Sequence, residues 1–362
     1  MRRTPLIPVA VAAFALLGTA LAPAAQAATP EVVVDGLVTP LSVAVADDGT
    51  VYASQNFASL ITKAAPGAEP EVIFADEGQR EIGALSITGD VLTFAATSQG
   101  GPAEAKVYTL SAEGQTEIAD LWAYESSRNP DGSRTYGVGG LSKSCKADVP
   151  KKQRAWVLPY KGIKESHPYA TAVAGDTTYV ADAAANAIFA ITDAGVSTAA
   201  VLPAAQIKIT KKIRTAFKLP RCVQGKIVRT EAVPTDVEVG PDGNLYVTSL
   251  PGGPEDPAMG ANGAVYQVNP TTHAVVKQGS GLVSPTGLAI GADGTAYISM
   301  LFASTVLAIP LGGTPAPLAE VALPGAVEYA GGYVYVTETD LMNDGSTPPA
   351  GKVVRIPVAV SD

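Results

Sequence analysis

Apolar residues recur along this chain in short runs at strand spacing, each run cut off by Gly, Asp or Pro. Branched and aromatic residues dominate the runs, the composition of a pleated, half-buried surface. The clearest unit opens at Pro285. Thr286–Gly291 and Thr295–Ser299 flank Asp293-Gly294, a hairpin turn signal, and the runs Ser304–Pro310 and Pro317–Val321 follow. A lone four-stranded sheet cannot bury both its faces, so the unit requires copies of itself.

Five further copies are present, opening at Pro40, Ile82, Pro168, Pro234 and Pro324. Their first two strands are joined by Asp48-Gly49, Gly89-Asp90, Gly175-Asp176, Asp242-Gly243 and Gly331-Gly332. The last copy reaches Asp362 with too little chain for a fourth strand, while a spare apolar run, Glu31–Asp35, precedes the first. A closed ring accounts for both, because the spare run fills the vacant place and no sheet edge is left open. The pattern predicts an all-β chain, a six-bladed β-propeller whose N-terminal strand closes the last blade. Asn129–Tyr136 resembles one more turn of this kind, but it lacks an apolar strand before it and a third strand after it, so it is not counted as a blade.

In antiparallel sheets of this order, the first and third turns share one face, and the second loops and inter-sheet connections share the other. The first set is uniformly tight. The second holds every insertion: residues 122–165 and 203–232, and the loops Leu250–Asn262 and Glu338–Ala350. Long loops on a rigid scaffold are the expected place for function.

Composition fits this picture: 47% hydrophobic and only 16% charged, with 36 Gly and 28 Pro in 362 residues. Arg2 and Arg3 precede an apolar run, Leu6–Ala22, and small residues at Ala25–Ala27. Residues 1–27 therefore read as a signal peptide and 28–362 as a single propeller domain of a secreted protein. No later stretch is long enough to span a bilayer. Outside the cell the two cysteines, Cys145 and Cys222, are expected to form a disulfide joining the two large insertions.

Charge is uneven. On a chain of net charge −9, 15 of the 25 basic residues lie in two stretches of those insertions, Lys143–Lys164 and Lys208–Arg229. Lys208, Lys211, Lys212, Arg214 and Lys218 form the densest patch. A basic cap on an acidic body points to an anionic extracellular polymer or an acidic small molecule as partner. Nucleic acid is not expected, because the basic runs lack interleaved aromatics. The chain is expected to be a monomer.

Several stretches carry a resemblance. Pro234–Pro257, Ser166–Ala170, Val180–Ala183 and Leu219–Val223 are similar to the ScyD/ScyE family, named for scytonemin biosynthesis. That resemblance implies a secreted propeller and no established reaction; the basic charge of residues 208–229 departs from the family pattern. The repeats also resemble NHL and gluconolactonase-type propellers, which implies a metal-dependent lactonase. The position after the opening residue of each copy nevertheless reads Leu41, Gly83, Tyr169, Thr235, Thr286 and Gly325, and the next reads Ser42, Ala84, Ala170, Asp236, Gly287 and Ala326. One carboxylate is too few for a hard divalent cation, so no metal or other cofactor is expected. A quinone-dependent sugar dehydrogenase is disfavoured by the presence of only two His in the chain.

Other positions at strand ends place Glu81, His167, Asp182, Asp236 and Glu338 near the channel mouth, with Gln55 among them. A His between carboxylates suits acid/base work, and equally a structural hydrogen bond. Glu255 and Asp256, bracketed by prolines, suit a cation or a turn. The leading expectation is a ligand- or partner-binding protein using the loop-rich face and its stapled basic cap. The alternative is a lactonase-like hydrolase at the channel mouth, so enzymatic activity is left open.

Overall fold

The computed structural model describes residues 29–101, 103–310 and 313–358. The expected signal peptide lies outside the described residues. Among these residues the chain forms seven four-stranded antiparallel sheets. Six of them follow the sequence units, and their first strands are Val43–Val45, Glu81–Thr88, Pro168–Ala174, Pro234–Val239, Pro285–Ile290 and Pro324–Ala330. Each first strand packs against the next in chain order, and the last packs against the first. The spare run Glu31–Leu37 pairs antiparallel with Gly351–Pro357, setting Val32 opposite Val354 and Val34 opposite Val353. No described helix is long and apolar enough to cross a membrane.

Hydrogen bonds stitch neighbouring first strands together. The Ser42 hydroxyl accepts from the Leu85 amide at 2.7 Å, and the Asp236 carboxylate accepts from the Leu288 amide at 2.6 Å. Both residues occupy the same place in their repeats, two after the opening proline. Thr235 Oγ1 donates to the Pro285 carbonyl at 2.9 Å, and Thr286 Oγ1 to the Pro324 carbonyl at 3.1 Å. The residues just before four of the opening prolines, Thr39, Val233, Ser284 and Leu323, have φ between 42° and 49°. That conformation is unfavourable for branched side chains, and it persists because each carbonyl accepts an amide from beyond the second strand of its own sheet.

The seventh sheet belongs to the insertions. Its strand order is Tyr160–Lys161, Thr135–Val138, Ile227–Thr230 and Ala205–Lys208, so each insertion contributes two strands. The region read as long loops is thus an ordered cap with its own core. Val138, Val149, Val157, Ile207, Ile209, Ile213, Val223 and Val228 are buried together there, and Trp156 meets Phe217 edge-on at 5.4 Å. The Cys145–Cys222 disulfide joins the two insertions within this cap.

Candidate functional site

Glu81 opens the first strand of the second sheet, and His167 directly precedes that of the third. Because those strands are neighbours, the His167 Nε2 lies 3.2 Å from Glu81 Oε2. Asn56 orients the glutamate: its Nδ2 donates to Oε1 at 3.0 Å, while its own Oδ1 accepts from Ser54 Oγ at 2.5 Å and the Leu41 amide at 3.2 Å. Gly83 makes room, since a Cβ there would sit 2.7 Å from Asn56 Nδ2. Burial works to raise the Glu81 pKa, but the bond to and charge of His167, with Asn56, hold it below the ordinary carboxylate range. Burial works to lower that of His167, and Glu81, then Asp182, more than reverse it. Each partner therefore favours the charged form of the other. The space beside them, bounded by Leu41, Thr97 and Tyr169, measures about 10 Å³, room for about one water molecule.

Further along the shaft lie Asp236, Glu238 and Glu328, around a space of about 20 Å³. Burial, followed by their mutual repulsion, pushes Asp236 and Glu238 well above the ordinary carboxylate range, and burial pushes Glu328 up to about 7. Asp236 keeps two backbone donors, Leu288 and Val237, so it serves the seam between sheets.

A cleft of about 520 Å³ opens at the loop Leu250–Asn262. Leu250, Pro251, Pro254, Met259, Val283 and Phe302 give it an apolar lining, Ile207 joins from the cap, and Glu255 and Asp256 stand in it. Phe302 is 46% exposed and adds an aromatic face to that lining. Lys212 Nζ donates to the Pro257 carbonyl at 3.2 Å, so the basic patch borders this loop. Lys208, Lys211, Lys212 and Lys218 are exposed, and Arg214 is half-buried.

The remaining expected site residues have other engagements. Asp182 is fully buried and accepts from the Ser166 hydroxyl at 2.5 Å and from the His167 and Ala185 amides at 2.8 and 3.0 Å. It fixes the backbone that carries His167. Glu338 pairs with Lys352 across a strand at 3.1 Å. Gln55 accepts from the Val38 amide and donates to Thr62 Oγ1, both at 2.8 Å. Asp256 caps its turn by accepting from the Ala258 amide at 2.7 Å. Among the described residues, no group of three or more His, Cys, Asp or Glu side chains is arranged to hold a metal.

Sequence reasoning missed Glu238, Glu328 and Asn56. A signal for the two glutamates existed. They stand four residues after the opening proline, where Ala44, Ala172 and Ala289 are small in other copies.

No family profile matches the chain, and no curated protein matches it. Solved structures do. The aldose sugar dehydrogenase of Streptomyces coelicolor in its PQQ-bound form is 13% identical, with a TM-score of 0.55 over 93% of this chain and 99% of that one. A putative oxidoreductase (glucose dehydrogenase) of Thermus thermophilus is 15% identical, with a TM-score of 0.54 over 91% and 99%. The selenomethionine-substituted virginiamycin B lyase of Staphylococcus aureus is 13% identical, with a TM-score of 0.51 over 89% and 96%. At such identities the likeness speaks to architecture, and what it shows is that this chain is an all-β protein with the fold of β-propellers.

Proposed function

We propose that this chain is a secreted six-bladed propeller of the ScyD/ScyE type that binds a ligand on its loop-rich face, in the cleft between the stapled cap and the loop Leu250–Asn262. In this reading residues 1–27 direct export, residues 28–362 form one domain, and the ligand is a small molecule with an apolar body and an anionic end. The cleft of about 520 Å³ is the observation that carries the proposal. It falls within the range of small-molecule sites, whereas the space beside Glu81 and His167 admits about one water. Lys211 and Lys212 support the anionic end. They open the helix Lys211–Ala216, whose first turn has no acidic residue, and cations at a helix start oppose the helix dipole. Their placement does not serve that helix.

The probe 8-anilinonaphthalene-1-sulfonate, an apolar anion, tests the reading by fluorescence titration. The wild type is expected to bind about one equivalent. Phe302→Ser should weaken binding about tenfold or more, from loss of apolar contact. Lys211→Glu with Lys212→Glu should weaken it and flatten its dependence on salt. Equal binding by all three proteins would remove the cleft from consideration.

A second reading, a lactonase-like hydrolase, is favoured by the Glu81–His167 contact alone. It requires the shaft to open for substrate. Lactone hydrolysis abolished by His167→Gln, with the fold intact, would establish it.

A further inference from the structure

The helix Leu121–Arg128 and the turn after it hold a group of oxygens with no donor in reach. Glu125 is 0% exposed, and neither of its carboxylate oxygens has a hydrogen-bond partner. Asp131 is also 0% exposed; its Oδ2 accepts from the Tyr136 hydroxyl at 2.8 Å and from Asn186 Nδ2 at 3.0 Å, while its Oδ1 has no partner. Asn129 donates from Nδ2 to the Gly162 carbonyl at 3.2 Å, and its buried Oδ1 is unpartnered as well. Glu125 and Asn129 are four residues apart, one helical turn, and so share a face. Asn129 ends the helix in the left-handed region, with φ 42°, and Asp131 follows closely enough for its charge to act on Glu125.

Four acceptor oxygens on a seven-residue segment are therefore buried without donors. A native chain rarely leaves such groups bare, because each unsatisfied buried polar atom costs about 1–3 kcal/mol and a buried charge costs more. A shared proton satisfies two oxygens at most. A water molecule donates two hydrogens. One hard cation takes several such oxygens at once, and calcium takes six to eight from carboxylates, amide and backbone carbonyls, and waters. Two cationic side chains act on the group, each with its own carbonyl partner: Lys164 acts on Glu125 and its Nζ donates to the Ser126 carbonyl at 2.5 Å, and Arg134 acts on Asp131 and its Nη2 donates to the Val201 carbonyl at 2.9 Å. The charges of Asp182 and Asp131 both act to raise the Glu125 pKa.

We infer that Glu125, Asn129 and Asp131 form a buried calcium site that clamps the first insertion to the third sheet. Its two carboxylates and one amide differ from the arrangements of three acidic or imidazole ligands that are absent among the described residues. It departs from the sequence expectation that no metal binds. The clamp reaches further through Asn186, which holds Asp131 with its amide nitrogen and accepts from the Val233 amide at 3.0 Å with its oxygen, at the entry to the fourth sheet. The site is remote in role from the proposed ligand cleft and stands or falls separately from it.

The test uses the purified full chain, stripped with a chelator and dialysed. After equilibration with calcium chloride and removal of excess, elemental analysis should find about one calcium per chain. The melting midpoint of the stripped protein should rise by about 4 °C at calcium a hundredfold above its Kd. Magnesium should do less. Glu125→Gln should remove both the bound calcium and the shift. Absence of bound calcium in the wild type, or a midpoint indifferent to it, overturns the inference, and that measurement needs no variant. A calcium response that survives intact in a folded Glu125→Gln protein overturns the assignment of ligands.

Discussion

Replacing Glu328 by Gln should stabilise the chain at pH 8 and leave it nearly unchanged at pH 4. Burial in the shaft raises the Glu328 pKa to about 7 from an ordinary 4.5. A carboxyl with a raised folded-state pKa holds its proton more tightly when folded, so its contribution is present in acid and is lost as pH climbs from about 4.5 to about 7. At 1.36 kcal/mol per pH unit, the charged group costs the folded state about 3 kcal/mol at pH 8, an upper figure because the shaft admits some water. Gln keeps an oxygen for the Tyr329 amide, which donates to Glu328 Oε1 at 3.1 Å. Removing the charge also relieves Asp236 and Glu238, whose pKa values Glu328 helps to raise. For a chain of this size, about 3 kcal/mol corresponds to a rise in melting midpoint of about 4–5 °C. Thermal melts followed by circular dichroism at pH 8 and pH 4 give the comparison. An equal gain at both pH values, or a loss at pH 8, would refute the reasoning and show that the shaft supplies this carboxylate with a counter-charge.

Asp236→Ala should cost about 2–4 kcal/mol in urea unfolding by orphaning the Leu288 and Val237 amides, and Asp236→Ser, which copies Ser42, should recover part of that loss. An NMR titration should place the His167 imidazole above its ordinary pKa, and Glu81→Gln should lower it, because burial is then opposed only by the weaker charge effect of Asp182. The pair's contribution to stability should fade as pH falls through the lowered Glu81 pKa and again as pH rises through the raised His167 pKa. The double variant Cys145→Ser, Cys222→Ser opens a 77-residue separation, worth about 4–5 kcal/mol in the chain-entropy account. Hydrogen exchange should then quicken first at Thr135–Val138 and Ile227–Thr230, and an unchanged exchange rate there would contradict a stapled cap.

The repeating sheets were legible because each is local: a strand, a tight turn with glycine at positive φ and the next strand all fall within a few residues. Gly49, Gly243 and Gly294, with φ of 85°, 73° and 80°, mark those turns. The cap was not legible, because Thr135–Val138 finds its partner Ile227–Thr230 about ninety residues later and each strand is only four residues long. No window of sequence holds both halves of that pairing. The Glu81–His167 contact was partly legible, since both residues stand at strand entrances of adjacent repeats. Asp182 and Gln55 show the limit of that reasoning. Their positions at strand ends were read from the repeat, but which atoms they satisfy depends on backbone amides that no pattern of side chains reveals. Glu125 and Asp131 lay unnoticed for a related reason. Acidic residues in a charged insertion look solvated until the fold encloses them.

The bridge between Cys145 and Cys222 encircles everything from the third sheet's entry to its exit. A protease that cuts the backbone anywhere between those two residues therefore releases nothing, and both fragments stay covalently tied until a reductant acts. The exposed Lys211, Lys212 and Lys218, which lie between the two cysteines, can thus be nicked without the two pieces separating.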